Sequence, residues 1–114
     1  MTVAHEYRRL GVAQMLMDFF EYCSEHVYRG FFVDLFVRPS NAKAIGMYKK
    51  RGYSVYRRVH AYYQGTPPKP AEDGFDMRMP LPRDTKRQTI RSHGESVVVQ
   101  PQATIFEPFV HKGI

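Results

Sequence analysis

Val12, Leu16, Phe19, Phe20, Cys23 and Val27 recur at steps of three and four residues, which predicts an amphipathic helix from about Gly11 to Val27 with that face in the core. Gly30 ends the turn. Phe31 to Val37 is then a nearly unbroken apolar run, the pattern of a central strand covered on both faces, and Asp34 inside it must find a partner. Pro39 and Ser40 stop the strand, and a second helix is expected over about Asn41 to Arg51, with Gly52 in the left-handed terminal position. Tyr53 to Tyr63 is rich in Tyr and Val and reads as a second strand. Gln64 to Pro70 contains three prolines, which lack the donors of a sheet ladder, so it reads as a loop. Asp76 to Met79 is expected as a short strand returning beside the previous one. After Pro82 no helical or strand period appears before Val97-Val98-Val99 and Ile105-Phe106, so residues 83–114 are expected to be a mobile tail on a domain formed by residues 1–82.

Composition narrows the function classes. A chain of 114 residues has room for one domain. The net charge is +6, from twelve cations against eight carboxylates in residues 1–82 and five against three in residues 83–114. Neither part is basic enough to require nucleic acid, and the strand aromatics read as buried rather than as a stacking platform. The densest cluster, Lys49, Lys50, Arg51, Arg57 and Arg58, suits a helix's negative pole, and it would also attract coenzyme phosphates or an acidic peptide. The single cysteine, Cys23, allows no internal disulfide and fits a reducing compartment, so a cytoplasmic location is expected. No stretch reaches the roughly 20 apolar residues of a membrane span, and no membrane partner is expected. The five histidines show no metal-ligand spacing, and no metal is expected.

Two segments carry chemistry. Arg8-Arg9-Leu10-Gly11-Val12-Ala13 reads R-x-x-G-x-A at the expected helix start, where unpaired backbone N–H groups and the positive end of the dipole converge on an anion. Gly11 allows close approach of backbone to ligand, and Ala13 keeps the first turn free of bulk. About thirty residues later the segment from Ser40 to Tyr48 opens the second helix, with Asn41 and Tyr48 placed to handle a thioester. Together they suggest an enzyme that grips a phosphorylated acyl carrier. Each residue also has a plainer role: Arg8 and Arg9 as surface cations, Asn41 as a helix cap, Tyr48 and the pair Tyr62-Tyr63 as packing.

The combined pattern resembles the coenzyme-binding half of the GNAT superfamily of N-acetyltransferases. Arg8, Gly11 and Ala13 match its Q/R-x-x-G-x-G/A signature, and Asn41, Ala44, Tyr48, Gly52 and Tyr53 match a later N-x-x-A-x-x-x-Y-x-x-x-G-F/Y. Over about residues 3–85, Gly30 to Arg38, Gly52 to Arg57, Tyr62-Tyr63 and Asp76 to Arg78 are similar to the catalytic subunits of NatB-type amino-terminal acetyltransferases. The resemblance implies an α/β (α+β) fold with a mixed sheet and flanking helices. It implies acetyl transfer from acetyl-CoA, the cosubstrate, to the α-amino group of proteins beginning Met-Asp, Met-Glu, Met-Asn or Met-Gln.

The implied coenzyme contacts are Arg8, Arg9, Leu10, Gly11, Val12, Ala13, Asn41 and Tyr48. Tyr48 supplies the hydrogen bond to the leaving sulfur, and Tyr62 and Tyr63 line the peptide entry. The implied partners are nascent protein N-termini and a large auxiliary subunit, with possible ribosome association. The family fold normally has several strands and two helices before the first motif, where this sequence has only Met1 to Ala4 before His5. The expectation is therefore a fold truncated at the amino terminus, lacking a bulged strand that faces the acetyl carbonyl, with one side of Phe31 to Val37 unpaired and little or no activity alone. Two further readings stand beside this one: a non-catalytic remnant that binds coenzyme A or the auxiliary subunit, and a GNAT enzyme acting on another amine.

Overall fold

A computed structural model describes the backbone of residues 2–105 and the side chains of residues 11–104. The elements in chain order are α1 (Thr2–His26), β1 (Phe32–Val37), α2 (Ala42–Arg51), β2 (Ser54–Tyr63), β3 (Glu72–Pro80), a 3-10 turn (Gly94–Ser96), β4 (Val98–Val99) and α3 (Pro101–Ile105). The sheet runs β1-β3-β2-β4. β3 pairs antiparallel with both β1 and β2, and β4 pairs in parallel with β2. This mixed sheet with flanking helices is the architecture expected from the sequence. The strand taken as central is not the central one. β3 holds that place, longer than Asp76 to Met79, while β1 pairs with β3 alone among the described residues and leaves its other edge open.

One face of the sheet carries the apolar core: Val33, Val37, Tyr53, Val55, Met77 and Leu81 are buried together, with Ala44, Ile45 and Tyr48 of α2 and Met17 of α1 packed against them. The α2 boundaries follow from its ends. The Ala44 N–H donates to Asn41 Oδ1 at 3.2 Å, and Gly52 closes the helix at φ 110°, a conformation that a Cβ would penalise.

Helix α1 departs from expectation twice. It begins at Thr2 rather than near Gly11, and the stripe expected in the core is exposed: Val12, Leu16, Phe19 and Val27 are each more than half accessible. Its inner face is instead Met17, Glu21 and the buried Ser24. Arg51 at the end of α2 sets that rotation. Its Nε and Nη2 donate to Glu21 at 3.0 and 2.8 Å, Nη2 also reaches Asp18 at 2.5 Å, and Nη1 donates to Gln14. The Tyr53 hydroxyl donates to Glu21 as well, at 3.0 Å. The polar side of α1 is thereby drawn inward, and nothing among the described residues covers the apolar stripe.

The opposite face of the sheet carries charge. Asp34, opposite Arg78 in register, is joined by Asp76 and Arg57, all four buried. Arg57 Nε donates to Asp76 Oδ2 at 2.8 Å, and Arg78 lies 3.6 Å from Asp34. Asp34 therefore finds the partner its place in an apolar run demands. Burial above all, and then the neighbouring Asp76 carboxyl, push the Asp34 carboxyl up to about 9.

Residues 83–105, expected as the start of a tail, lie against this sheet. Arg78 Nη1 donates to the Thr89 carbonyl at 3.3 Å, Arg78 and Arg91 sandwich the Tyr56 ring at 3.5 and 3.8 Å, and the Arg58 N–H donates to the Val97 carbonyl at 2.7 Å. The segment is held by cation–ring contacts and hydrogen bonds rather than by an apolar face, which is why hydrophobic periodicity does not reveal it. Residues 106–114 lie outside the described residues.

Candidate functional site

The second sequence motif lines a cleft that takes one residue, Gln14, from α1 just past the first motif. The cleft, of ≈ 520 Å³, is lined by Gln14 of α1 and by Asn41, Lys43, Ala44, Met47 and Lys50 of α2 and its cap. Lys43 and Lys50 stand seven residues apart, two turns along one helical face, so their ammonium groups flank the same cleft. Asn41 is both a cap and a lining residue. Its Oδ1 is committed to the Ala44 N–H, which leaves its amide nitrogen as the donor toward a ligand.

The segment from Arg8 to Ala13 lies inside α1. In a helix interior each backbone N–H is bonded to the carbonyl four residues back, so the N–H groups of Gly11 to Ala13 are not open donors in this arrangement. Gly11 has nothing within 4 Å of where a Cβ would stand, which leaves space over the helix at that point. The side chains of Arg8, Arg9 and Leu10 lie outside the described residues. Val12 and Ala13 are not among the residues that line the α2 cleft.

Tyr48 packs on the core edge of α2, its ring 5.8 Å from that of Tyr53. Tyr62 and Tyr63 come from the end of β2. The Tyr62 ring stacks on Phe36 of β1 at 4.4 Å and 6° between planes, and meets Tyr63 edge-on at 5.0 Å. The Arg38 guanidinium lies 4.3 Å over the Tyr63 ring, and Arg38 also contacts Glu72 at 3.4 Å. Glu72 in turn accepts the Ser40 N–H at 2.9 Å, and Ser40, through its hydroxyl first and then this N–H, holds the Glu72 carboxyl below the usual range ahead of Arg38. The Tyr63 phenol is pushed up, by burial first and then by the neighbouring Tyr62, with Tyr48 also within electrostatic reach. The Tyr63 phenol is therefore a protonated donor at neutral pH.

A second cleft, of ≈ 650 Å³, opens beside this group between Arg38, Ser40, Glu72 and the loop through Gly65, Thr66 and Lys69. Ser40 lines the second cleft and Asn41 the first, so one peptide bond separates them. Sequence reasoning placed Lys50 in a basic cluster that would attract coenzyme phosphates, but passed over Gln14, Lys43, Arg38 and Glu72. The spacing of seven could have found the lysine pair, whereas Arg38 and Glu72, 34 residues apart, meet only through β-strand pairing.

The model of the acetyltransferase (GNAT) family matches residues 1–53. The N-terminal acetyltransferase B complex catalytic subunit naa20 of Schizosaccharomyces pombe is 51% identical over 105 residues, covering 92% of this chain and 57% of that protein. Among solved structures, Chaetomium thermophilum Naa20 in complex with a bisubstrate analogue superposes with a TM-score of 0.78 at 44% identity, over 87% of this chain and 53% of that one. A NatB acetyltransferase complex bound to CoA and MES gives 0.54 at 40% identity, over 68% and 48%. The chain spans about half the length of the relatives it matches. The mixed sheet with flanking helices agrees with these matches, and the chain belongs to the GNAT family of acetyltransferases.

Proposed function

We propose that this chain carries the coenzyme-binding part of an Nα-acetyltransferase of NatB type. It takes acetyl from acetyl-CoA and delivers it to the α-amino group of proteins beginning Met-Asp, Met-Glu, Met-Asn or Met-Gln, acting as catalytic subunit beside a large auxiliary subunit that serves nascent chains in the cytoplasm. The observation that carries the reading is the adjacency of the two clefts. A cationic one runs along α2, a polar one lined by Arg38, Ser40 and Glu72 lies beside the end of β2 with Arg38 over the Tyr63 ring, and Tyr48 has Tyr63 within electrostatic reach.

The α2 cleft fits a coenzyme of this kind, since Lys43 and Lys50 offer two positive charges to phosphate and Asn41 an amide donor to a pantetheine carbonyl. When bound, acetyl-CoA supplies an activated acyl carbonyl and a thiolate leaving group. Tyr48 holds a proton on its phenol oxygen and donates it, or a hydrogen bond from it, to the departing sulfur. Tyr62 and Tyr63 orient the peptide so that its uncharged amine approaches in line. The phosphate role of Arg8, Arg9, Leu10, Gly11, Val12 and Ala13 requires α1 to start near Gly11, which frees the first N–H groups for an anion.

Calorimetry with coenzyme A tests the reading. The chain is expected to bind it, and Gly11→Glu, which puts bulk and negative charge at the phosphate, is expected to abolish binding. Equal affinity in the Glu variant removes the cradle from the site.

The exposed apolar stripe of α1 and the open edge of β1 favour a second reading, a coenzyme- or subunit-binding chain without turnover. Transfer of labelled acetyl to a Met-Asp peptide, with the auxiliary subunit present, separates the two.

A further inference from the structure

Tyr62 and Tyr63 owe their placement to an irregularity in β2. Between the pairs Val59 with Gly74 and Tyr63 with Glu72, β2 spends His60, Ala61 and Tyr62 where β3 spends only Asp73. Two extra residues on one strand bend it and increase the local twist. Ala61 at the centre takes φ 47°, a left-handed conformation that a non-glycine residue holds only when its surroundings enforce it.

The enforcing group is Asp73. Its Oδ1 accepts the Ala61 N–H at 2.8 Å, and its Oδ2 accepts from Arg58 Nε at 2.6 Å. The Ala61 N–H first, and then Arg58, hold the carboxyl below its usual range, so the bond to Ala61 is charge-assisted at neutral pH. The next residue clears the space that the bulge needs. A Cβ on Gly74 would stand 3.0 Å from Tyr62 Cβ and Cδ2, so the ring passes over bare backbone to stack on Phe36 of the far strand.

We propose that Asp73 is a positioning residue for peptide binding, holding the β2 bulge so that Tyr63, under Arg38, and Tyr62 stand beside the cleft that Arg38 and Glu72 line, with Gly74 leaving the path of the Tyr62 ring open. The proposal rests on the reading of that tyrosine pair as the peptide side of the site. Asp73 touches neither substrate; it acts through the Ala61 backbone.

Two readouts test it. The nuclear Overhauser contact between the Tyr62 and Phe36 rings reports the bulge itself. The affinity for coenzyme A, set against that for coenzyme A joined to a Met-Asp peptide, reports the site. Asp73→Ala is expected to lose the ring contact and weaken the bisubstrate analogue at least about tenfold, while coenzyme A affinity stays unchanged. Asp73→Asn keeps an Oδ1 acceptor and is expected to retain both. Gly74→Val displaces the Tyr62 ring without touching Asp73, so it repeats the analogue loss should the Ala variant fail to fold.

Asp73→Ala with an intact ring contact, or with a lost contact and undiminished analogue affinity, overturns the proposal. Wild-type analogue affinity in Tyr62→Ala and Tyr63→Ala also overturns it. In that last case the fault lies with the peptide reading of the tyrosines, and the ring contact in Asp73→Ala still shows separately whether the carboxylate holds the bulge.

Discussion

At the scale of single residues, Tyr48 and Asp34 each carry a charge-dependent role that a measurement can isolate. Tyr48 is the proposed donor to the leaving sulfur, and removing its hydroxyl leaves the ring's packing on the core edge in place. In the assembly that turns over, Tyr48→Phe is expected to keep coenzyme affinity and lower kcat roughly ten- to a thousand-fold, the range for one lost hydrogen bond at a developing charge. Wild-type turnover assigns Tyr48 to packing alone. Asp34 acts on stability instead. Its carboxyl goes from an ordinary value of 3.8 to about 9 in the fold, so between roughly pH 4 and 9 the folded chain keeps a proton that the unfolded chain releases. Stability therefore falls as pH rises through that window. The carboxyls of Glu72, Asp73 and Asp84 shift downward, and their contribution is lost only as pH falls through the acid range, which leaves the interval from pH 5 to 9 to Asp34. Urea midpoints are expected to decline between pH 5 and 8 in the wild type and to flatten in Asp34→Asn. Parallel profiles for the two proteins rule this out.

At the scale of elements, the junction of α1 and α2 rests on one guanidinium. Arg51 is largely buried, and the Glu21 hydrogen bonds first, then Asp18, push its pKa further up, so it stays charged under all ordinary conditions. Arg51→Met removes the donors and strands the Glu21 carboxylate with the Tyr53 hydroxyl. The expected cost is of order 3 kcal/mol, as for other ion pairs broken from one side in a poorly hydrated site. Amide exchange along Gln14 to Ser24 is expected to accelerate well beyond that in β3. Uniform acceleration throughout the chain would mean that α1 and the sheet open together and that no separate clamp exists. The same junction forms one wall of the cleft along α2, because Gln14 both accepts from Arg51 and lines it.

At the scale of the whole molecule, the exposed stripe of α1 and the open edge of β1 lie on a chain that spans about half the length of its relatives. An uncovered apolar stripe and an unpaired strand edge both favour association. Sedimentation of the isolated chain is expected to show concentration-dependent self-association, and the chain alone is expected to give little or no acetyl transfer to a Met-Asp peptide. Near-attack geometry can account for about 7–11 kcal/mol of a barrier, and it needs both substrates held at once. A monomeric preparation turning over at about 1 per second or faster would show that the chain needs no further covering.

Local chemistry was legible in the residues themselves. Asn41 caps α2 because a side-chain oxygen three residues before an N–H can accept from it, and Gly52 ends that helix because only glycine takes φ 110° without cost. The apolar run of β1, the proline-rich loop and the two family signatures are likewise short-range patterns, readable without knowing what lies across the fold. What faces what was decided by the tertiary structure. Helical periodicity marks an apolar stripe on α1, but it does not say whether a partner covers it, and Arg51 turned the opposite side inward. Strand propensity does not give sheet order, so β3 took the centre. Residues 83–105 dock through guanidinium–ring contacts and single hydrogen bonds, which leave no period to read. The bulge that aims Tyr62 and Tyr63 depends on Asp73, which lies twelve residues beyond Ala61 and meets it only when β3 returns along β2. Short-range patterns are written in neighbouring residues, whereas burial, register and the pairing of distant charges are settled by which surfaces can be satisfied together.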